Sequence, residues 1–185
     1  PVHYQYKGKY VMTAVKSGLM SIDQYRANVR ILYERYMEQQ RSHTFRTQKL
    51  LFPDAVQFSA SDAVVLEKIL SDLSNVGFDV SSLGGNSYAV NGVPACVEGV
   101  DPVMLLRRMV SDAMEKGRTV TEEISSAIAL SLARSAAIPY GQILSNEEME
   151  NLVNELFACS NVNYTPDGKA VLCILPQADI EHLLG

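Results

Sequence analysis

Asp23, Glu34 and Asp167 are carboxylates, a side-chain type that can ligate a divalent metal ion. Asp23 stands where an apolar strand turns into a helix. Glu34 follows eleven residues later, and Asp167 lies in the turn Pro166-Asp167-Gly168-Lys169. A divalent transition metal needs several oxygen or nitrogen ligands converging on one point. Three helical turns separate Asp23 from Glu34, so they share a helix face but stand roughly 16 Å apart, too far for one ion. Adding Asp167 to either would still leave a site without the soft ligands zinc prefers. Each acid also has an ordinary structural role. Asp23 can cap the helix, worth about 1 kcal/mol; Glu34 can pair with Arg30 at helical spacing; Asp167 suits turn chemistry.

The other ligand types are scattered. His3, His43 and His182 stand far apart, and Cys96, Cys159 and Cys173 are an odd number at wide spacings. The cysteines are expected to be reduced and mostly buried thiols in a cytoplasmic protein, neither a disulfide framework nor a zinc site. No glycine-rich phosphate loop and no nucleophile–base spacing supports an unrelated small-molecule enzyme.

The elements that must position these residues follow from local pattern. Tyr10–Val15 and Leu19–Ile22 are β-rich runs joined by Lys16-Ser17-Gly18 and predict a hairpin, with Tyr4 and Tyr6 in an earlier extended piece. Asp23 then caps a helix to about Gln40, with Tyr25, Val29, Leu32, Tyr33 and Tyr36 as its apolar stripe. Leu50–Phe52 and Val56–Phe58 predict a strand bent at Pro53. Ser59 and Asp62 open a helix through Val76, ended by Gly77. Two strands flank Gly84-Gly85-Asn86, a helix runs from Asp101-Pro102 to Lys116, and another runs from about Glu122 to Ala137. Ser145 and Glu148 predict a capping box on a helix Asn146–Cys159, followed by the strand Ala170–Leu175 and a short helix Ala178–Leu184. Hairpins mixed with helices at both ends and in the middle predict an α+β fold.

Composition bounds the class. At 47% hydrophobic and 20% charged residues, the chain reads as a globular protein and not as a disordered tail. Its longest apolar runs, such as Val171–Leu175, are about five residues, far short of a membrane-spanning helix, so no membrane partner is expected. Beginning at Pro1 without a methionine, it is expected to be cut from a longer protein. Residues 1–46 carry eight Lys/Arg against three acids, whereas residues 140–185 carry one lysine against seven acids. Opposite charge predicts that the two ends pack together around an inserted middle.

Several stretches carry a resemblance. The run Leu19-Met20-Ser21-Ile22-Asp23-Gln24-Tyr25-Arg26-Ala27, followed by Arg30 to Arg35, resembles the strand-to-helix signature of the C-terminal dimerization domains of MutL-family DNA mismatch repair proteins. Nicking members of that family carry Asp-Gln-His-Ala, then glutamates at the seventh and twelfth motif positions. This chain keeps Asp23, Gln24 and Glu34 but has Tyr25 for the histidine and Val29 for the first glutamate. Gln48-Lys49-Leu50-Leu51-Phe52-Pro53 is similar to the Gln-x-x-Leu/Ile-x-Pro segment through which such proteins contact the DNA sliding clamp, with Gln48 as polar anchor, Leu51 as apolar anchor and Pro53 ending the strand. Ala133-Arg134-Ser135 and Thr165–Ala170 stand where the family's Ala-Cys-Arg and Cys-Pro-His-Gly-Arg-Pro occur. Pro166 and Gly168 persist, while both cysteines and the histidine are gone.

The resemblance implies a dimerization subdomain made of residues 1–46 and 140–185, with an external, regulatory subdomain of residues 47–139 between. It implies a non-catalytic module of DNA mismatch repair that homodimerizes and docks the replication sliding clamp and other mismatch repair proteins. Asp23, Glu34 and Asp167 would then be remnants of the endonuclease site, with no metal held. The competing expectation is a metal-dependent nicking endonuclease with a degenerate ligand set. No cofactor is expected in this domain; the family's ATP would belong to the N-terminal domain. Weak, sequence-independent DNA contact would fall to Arg26, Arg30, Arg35, Arg41, Arg46 and Lys49 along the first helix and its exit.

Overall fold

The computed structural model describes residues 1–42, 45–95, 101–116 and 121–185; His43 and Cys96 lie outside these. Strands β1 (Tyr4–Tyr6), β2 (Tyr10–Val15) and β3 (Gly18–Asp23) lead into helix α1 (Gln24–Ser42). Then come β4 (Thr47–Gln57), α2 (Ala60–Asn75), β5 (Asp79–Gly84), β6 (Ser87–Pro94), α3 (Pro102–Lys116) and α4 (Thr121–Ala136). The chain closes with α5 (Asn146–Phe157), β7 (Leu172–Pro176) and α6 (Gln177–Leu184), an α+β fold. It divides into two compact units, one of Pro1–Leu32 with Ala137–Gly185 and the other of Tyr33–Ala136. The first division falls inside α1, ahead of the 46/47 boundary read from sequence. The second half of that helix makes its contacts with the middle of the chain: the Tyr33 hydroxyl hydrogen-bonds Ser126 of α4, and Tyr36 packs on Phe45 with ring centroids 6.3 Å apart.

In the first unit the two chain ends share one antiparallel sheet, ordered β1-β2-β3-β7. Side chains alternate between faces along each strand. Val11, Thr13, Met20 and Ile22 are buried on the inner face, while Tyr10, Met12, Ala14, Leu19 and Ser21 point outward and are at least partly exposed. The inner face packs on Ala27 and Ile31 of α1 and on Met149, Leu152 and Leu156 of α5. Each fully buried leucine or isoleucine contributes roughly 2 kcal/mol. Helix α5 starts on the expected capping box. Ser145 Oγ accepts from the Glu148 amide at 3.1 Å, and Glu148 Oε2 accepts from the Ser145 amide at 2.8 Å. The β2–β3 loop is the two residues Lys16-Ser17, and Gly18 is required beside it: a Cβ there would lie 2.0 Å from the Leu175 carbonyl oxygen.

Two expectations change here. The buried positions of α1 in this unit are Gln24, Ala27, Val29 and Ile31, while Tyr25 and Leu32 of the expected stripe are only half-buried. The periodicity counted apolar types and so missed a glutamine in the core. The cysteines are not mostly buried either. Cys159 is half-buried just past the end of α5, and Cys173 is exposed on β7, whose residues from Cys173 to Pro176 are all exposed.

The second unit is an antiparallel sheet ordered β4-β6-β5 with α2, α3 and α4. Its core includes Leu66, Ile69 and Leu73 of α2, Leu105, Leu106 and Met109 of α3, and Ile128 and Leu132 of α4. Ser59 caps α2, its hydroxyl accepting from the Asp62 amide at 3.2 Å. Among the described residues no helix is long and apolar enough to cross a membrane.

Candidate functional site

A cleft of about 310 Å³ opens beside the β3–α1 junction, lined by Lys9, Tyr10, Ser21, Asp23, Arg26 and Tyr140 with residues 170–173. Asp23 enters it as the last residue of β3 and caps α1. Its Oδ1 accepts from the Arg26 amide at 2.9 Å, and its Oδ2 accepts from the Tyr140 hydroxyl at 2.5 Å. The Arg26 Nε stands 3.7 Å from the same carboxylate, and its Nη1 donates to the Ala170 carbonyl at 3.0 Å. Burial first, then the adjacent Asp23 carboxylate, push the Tyr140 phenol above its usual range, so it stays a protonated donor. An anion already held by an amide, a hydroxyl and a guanidinium has little left to offer a cation.

Neither Asp167 nor Glu34 lines this cleft. Asp167 is on the surface of a tight hairpin closed by the Tyr164↔Ala170 bridge, and its Oδ1 accepts from the Thr165 hydroxyl at 2.6 Å. Glu34 belongs to the other unit. Among the described residues no three His, Cys, Asp or Glu side chains gather where a metal ion could be held. The replacements have packing of their own. Tyr25 lies against Tyr140, centroids 5.6 Å apart, and Val29 is only 2% exposed.

Gln24, the retained neighbour of Asp23, is 0% exposed and is a hydrogen-bond hub. Its Oε1 accepts from Gln5 Nε2 at 2.7 Å, while its Nε2 donates to the carbonyls of Pro139 (2.9 Å) and Gln142 (3.3 Å). Gln5 also donates to the Gln142 carbonyl and accepts from the Leu144 amide. The side chain therefore joins β1, the start of α1 and the loop that enters α5.

Gln48–Pro53 lies on β4, an edge strand. Thr47, Gln48 and Lys49 pair with β6, and pairing resumes at Asp54. Between them Leu50, Leu51, Phe52 and Pro53 stand opposite the single residue Asn91. Such a bulge lifts side chains out of the sheet's alternation. Leu51 is 93% exposed and Phe52 83% exposed, so this stretch is no core strand.

The family model described as the MutL C terminal dimerisation domain matches residues 3–144. The chain belongs to this family. A DNA mismatch repair protein MutL of Bacteroides fragilis is 54% identical over 181 residues, covering 98% of this chain and 29% of that protein. The MutL of Phocaeicola vulgatus is 53% identical over 181 residues with the same coverage of each. That of Chlorobium luteolum is 33% identical over 185 residues, all of this chain and 30% of that protein. This chain thus spans less than a third of the length of these curated relatives.

Family membership gives the dimerisation-domain positions a frame in which three residues missed by sequence reasoning stand out. Gln24, a letter of the motif in the sequence, is a buried strut in the structure. Tyr140, which no sequence pattern marks, holds Asp23. Phe52 stands beside Leu51 in the same bulge; two large apolar residues followed directly by proline were the available signal.

Proposed function

We propose that this chain is a non-catalytic assembly module of a cytoplasmic mismatch repair protein: it homodimerizes and docks the replication sliding clamp and other repair proteins. The dimer reading rests on the outer face of the four-stranded sheet. Tyr4, Met12, Ala14, Leu19 and Leu175 lie on one face by register and alternation, all exposed or half-exposed, with no helix of the inner core over them. An exposed apolar sheet face of this kind is best buried against a symmetry-related copy. Light scattering at micromolar concentration is expected to give twice the 20.4 kDa chain mass, and Leu19→Glu to reduce it to one chain. A single-chain mass for the unaltered protein ends this reading.

The clamp reading rests on the bulge of β4. A short segment binds by seating a few apolar anchors, and it pays an ordering cost that keeps affinity at about micromolar or weaker. Gln48 would supply the polar contact, Leu51 and Phe52 the apolar ones, and Pro53 the end of the strand. Exposure makes the test clean, because Leu51→Ala and Phe52→Ala remove side chains that contribute little to folding. Each is expected to leave the unfolding midpoint within about 1 °C while reducing clamp binding at least about tenfold, since a good anchor is worth 1–2 kcal/mol or more. Gln48→Ala is expected to weaken it less. NMR titration with the clamp decides; undiminished binding by all three removes the segment from consideration.

Catalysis lies outside this reading, because Asp23 is committed to Arg26 and Tyr140. DNA contact through the arginines of α1 would be weak and salt-dependent.

A further inference from the structure

We infer, resting on the docking reading of Gln48–Pro53, that the Lys49–Asp79 ion pair over Gly92 is a register lock, which makes Asp79 a positioning residue for partner docking. The bulge divides β4 into two halves with unequal hold on the sheet. Side chains fix the C-terminal half. Val56 is buried opposite Tyr88, Gln57 Nε2 donates to the Gly85 carbonyl at 2.9 Å, and Arg107 donates to the Gln57 carbonyl at 3.0 Å. The N-terminal half, Thr47–Lys49, is exposed throughout and buries no side chain. Its ladder bonds to β6 do not choose a register, because a slipped strand makes an equal set, and register is weakly specified where neither face is buried. The four residues opposite Asn91 supply slack, so this half has room to slide while Val56 stays seated.

Lys49 and Asp79 are both register partners of Gly92, one on each side of β6. Register partners point to one face, and strands two apart stand roughly 9–10 Å from each other, so an ion pair between them must cross the middle strand. Lysine is long enough, provided the middle residue is small, and here its ammonium reaches the Asp79 carboxylate. Position 92 has no room for a side chain. A Cβ there would lie 2.6 Å from the Thr47 methyl, 3.1 Å from the Gln48 carbonyl oxygen and 3.4 Å from Asp79 Cβ. The glycine therefore seats Thr47 and leaves the path of Lys49 open. The hydrogen bond from Lys49 holds the Asp79 carboxyl below its usual range, which keeps it ionised at neutral pH. Among the described residues no other side chain of Thr47–Pro53 makes a hydrogen bond or ion pair. A slip of one residue would turn Gln48 to the opposite face, away from the partner that Leu51 and Phe52 engage.

NMR of the free chain, followed by titration with the clamp, separates register from binding. Asp79→Lys sets two ammonium groups across Gly92. It is expected to remove the cross-strand backbone contact between Lys49 and Gly92 while keeping that between Val56 and Tyr88. Clamp binding is expected to weaken about fivefold, the upper end for an exposed pair. Adding Lys49→Asp restores opposite charges in swapped order. The swapped chain is expected to recover the Lys49→Asp contact with Gly92 and to bind within about twofold of the unaltered chain. The inference is overturned if the contact at Gly92 survives in Asp79→Lys, or if it fails to return in the swapped pair. It also falls, with the docking reading left standing, if Leu51→Ala and Phe52→Ala lose binding while Asp79→Lys does not. Undiminished binding by Leu51→Ala and Phe52→Ala removes the docking reading and this inference together.

Discussion

Gln24→Leu is expected to destabilise the first unit by about 3 kcal/mol, although it replaces a polar core residue with an apolar one of similar size. The amide makes three hydrogen bonds from a position with no solvent exposure, to Gln5, Pro139 and Gln142. Leucine removes all three bonds at a position closed to solvent and leaves the Pro139 carbonyl without its side-chain donor, and an unsatisfied buried group costs roughly 1–3 kcal/mol. The Gln142 carbonyl keeps its bond from Gln5, which moderates the loss. Gln24→Glu separates geometry from charge. Its carboxylate would face the two carbonyls that now accept from Nε2, so the neutral form is favoured in the fold and the folded pKa lies above the unfolded value of about 4.3. Above that value the folded chain holds the extra proton, so stability falls as pH rises until the folded pKa is passed, and then stays low. Urea unfolding followed from pH 4 to pH 8 should therefore show the Glu variant losing stability with pH while the Leu variant stays flat relative to the unaltered chain. Two variants that both unfold within 0.5 kcal/mol of the parent would remove Gln24 from the core network.

What sequence made legible in this chain is what short range determines. The capping box at Ser145, the cap at Ser59, the hairpin around Lys16-Ser17 and the apolar runs of β3 and β7 each depend on residues within a few positions. The packing of the chain ends was legible only as a charge argument. Strand pairing and an apolar core carry it: β3 pairs with β7, and both ends contribute to one buried cluster. Gln24 was beyond reach because its partners lie 115 and 118 residues away, and nothing local marks a glutamine that will be enclosed by carbonyls. Asp23 was correctly placed as a cap. Its second partner, Tyr140, sits 117 residues on and could not be read from spacing. The bend at Pro53 was legible, but the four-against-one bulge that exposes Leu51 and Phe52 depends on the register of β6.

The second large effect concerns the position where the nicking members carry a glutamate. Val29 is 2% exposed, so Val29→Glu puts a carboxylate where solvent does not reach it. A buried charge without a partner is costly enough that the group takes up a proton instead, and mutations of this class destabilise by roughly 3–5 kcal/mol. A metal could reverse the sign only if further ligands converged on it, and Asp23, one candidate, is bonded to the Arg26 amide and to Tyr140. Restoring one glutamate therefore restores no site. Thermal unfolding of Val29→Glu is expected to show a loss of more than about 10 °C, given 4–8 °C per kcal/mol for a unit of this size, with or without millimolar manganese. Val29→Leu, which stays apolar but adds a methylene to a filled position, is expected to cost about 1–3 kcal/mol. Manganese that raised the Val29→Glu midpoint by more than it raises that of the parent would mean the ligand geometry survives, and the reading of Asp23 as a structural cap would fall with it.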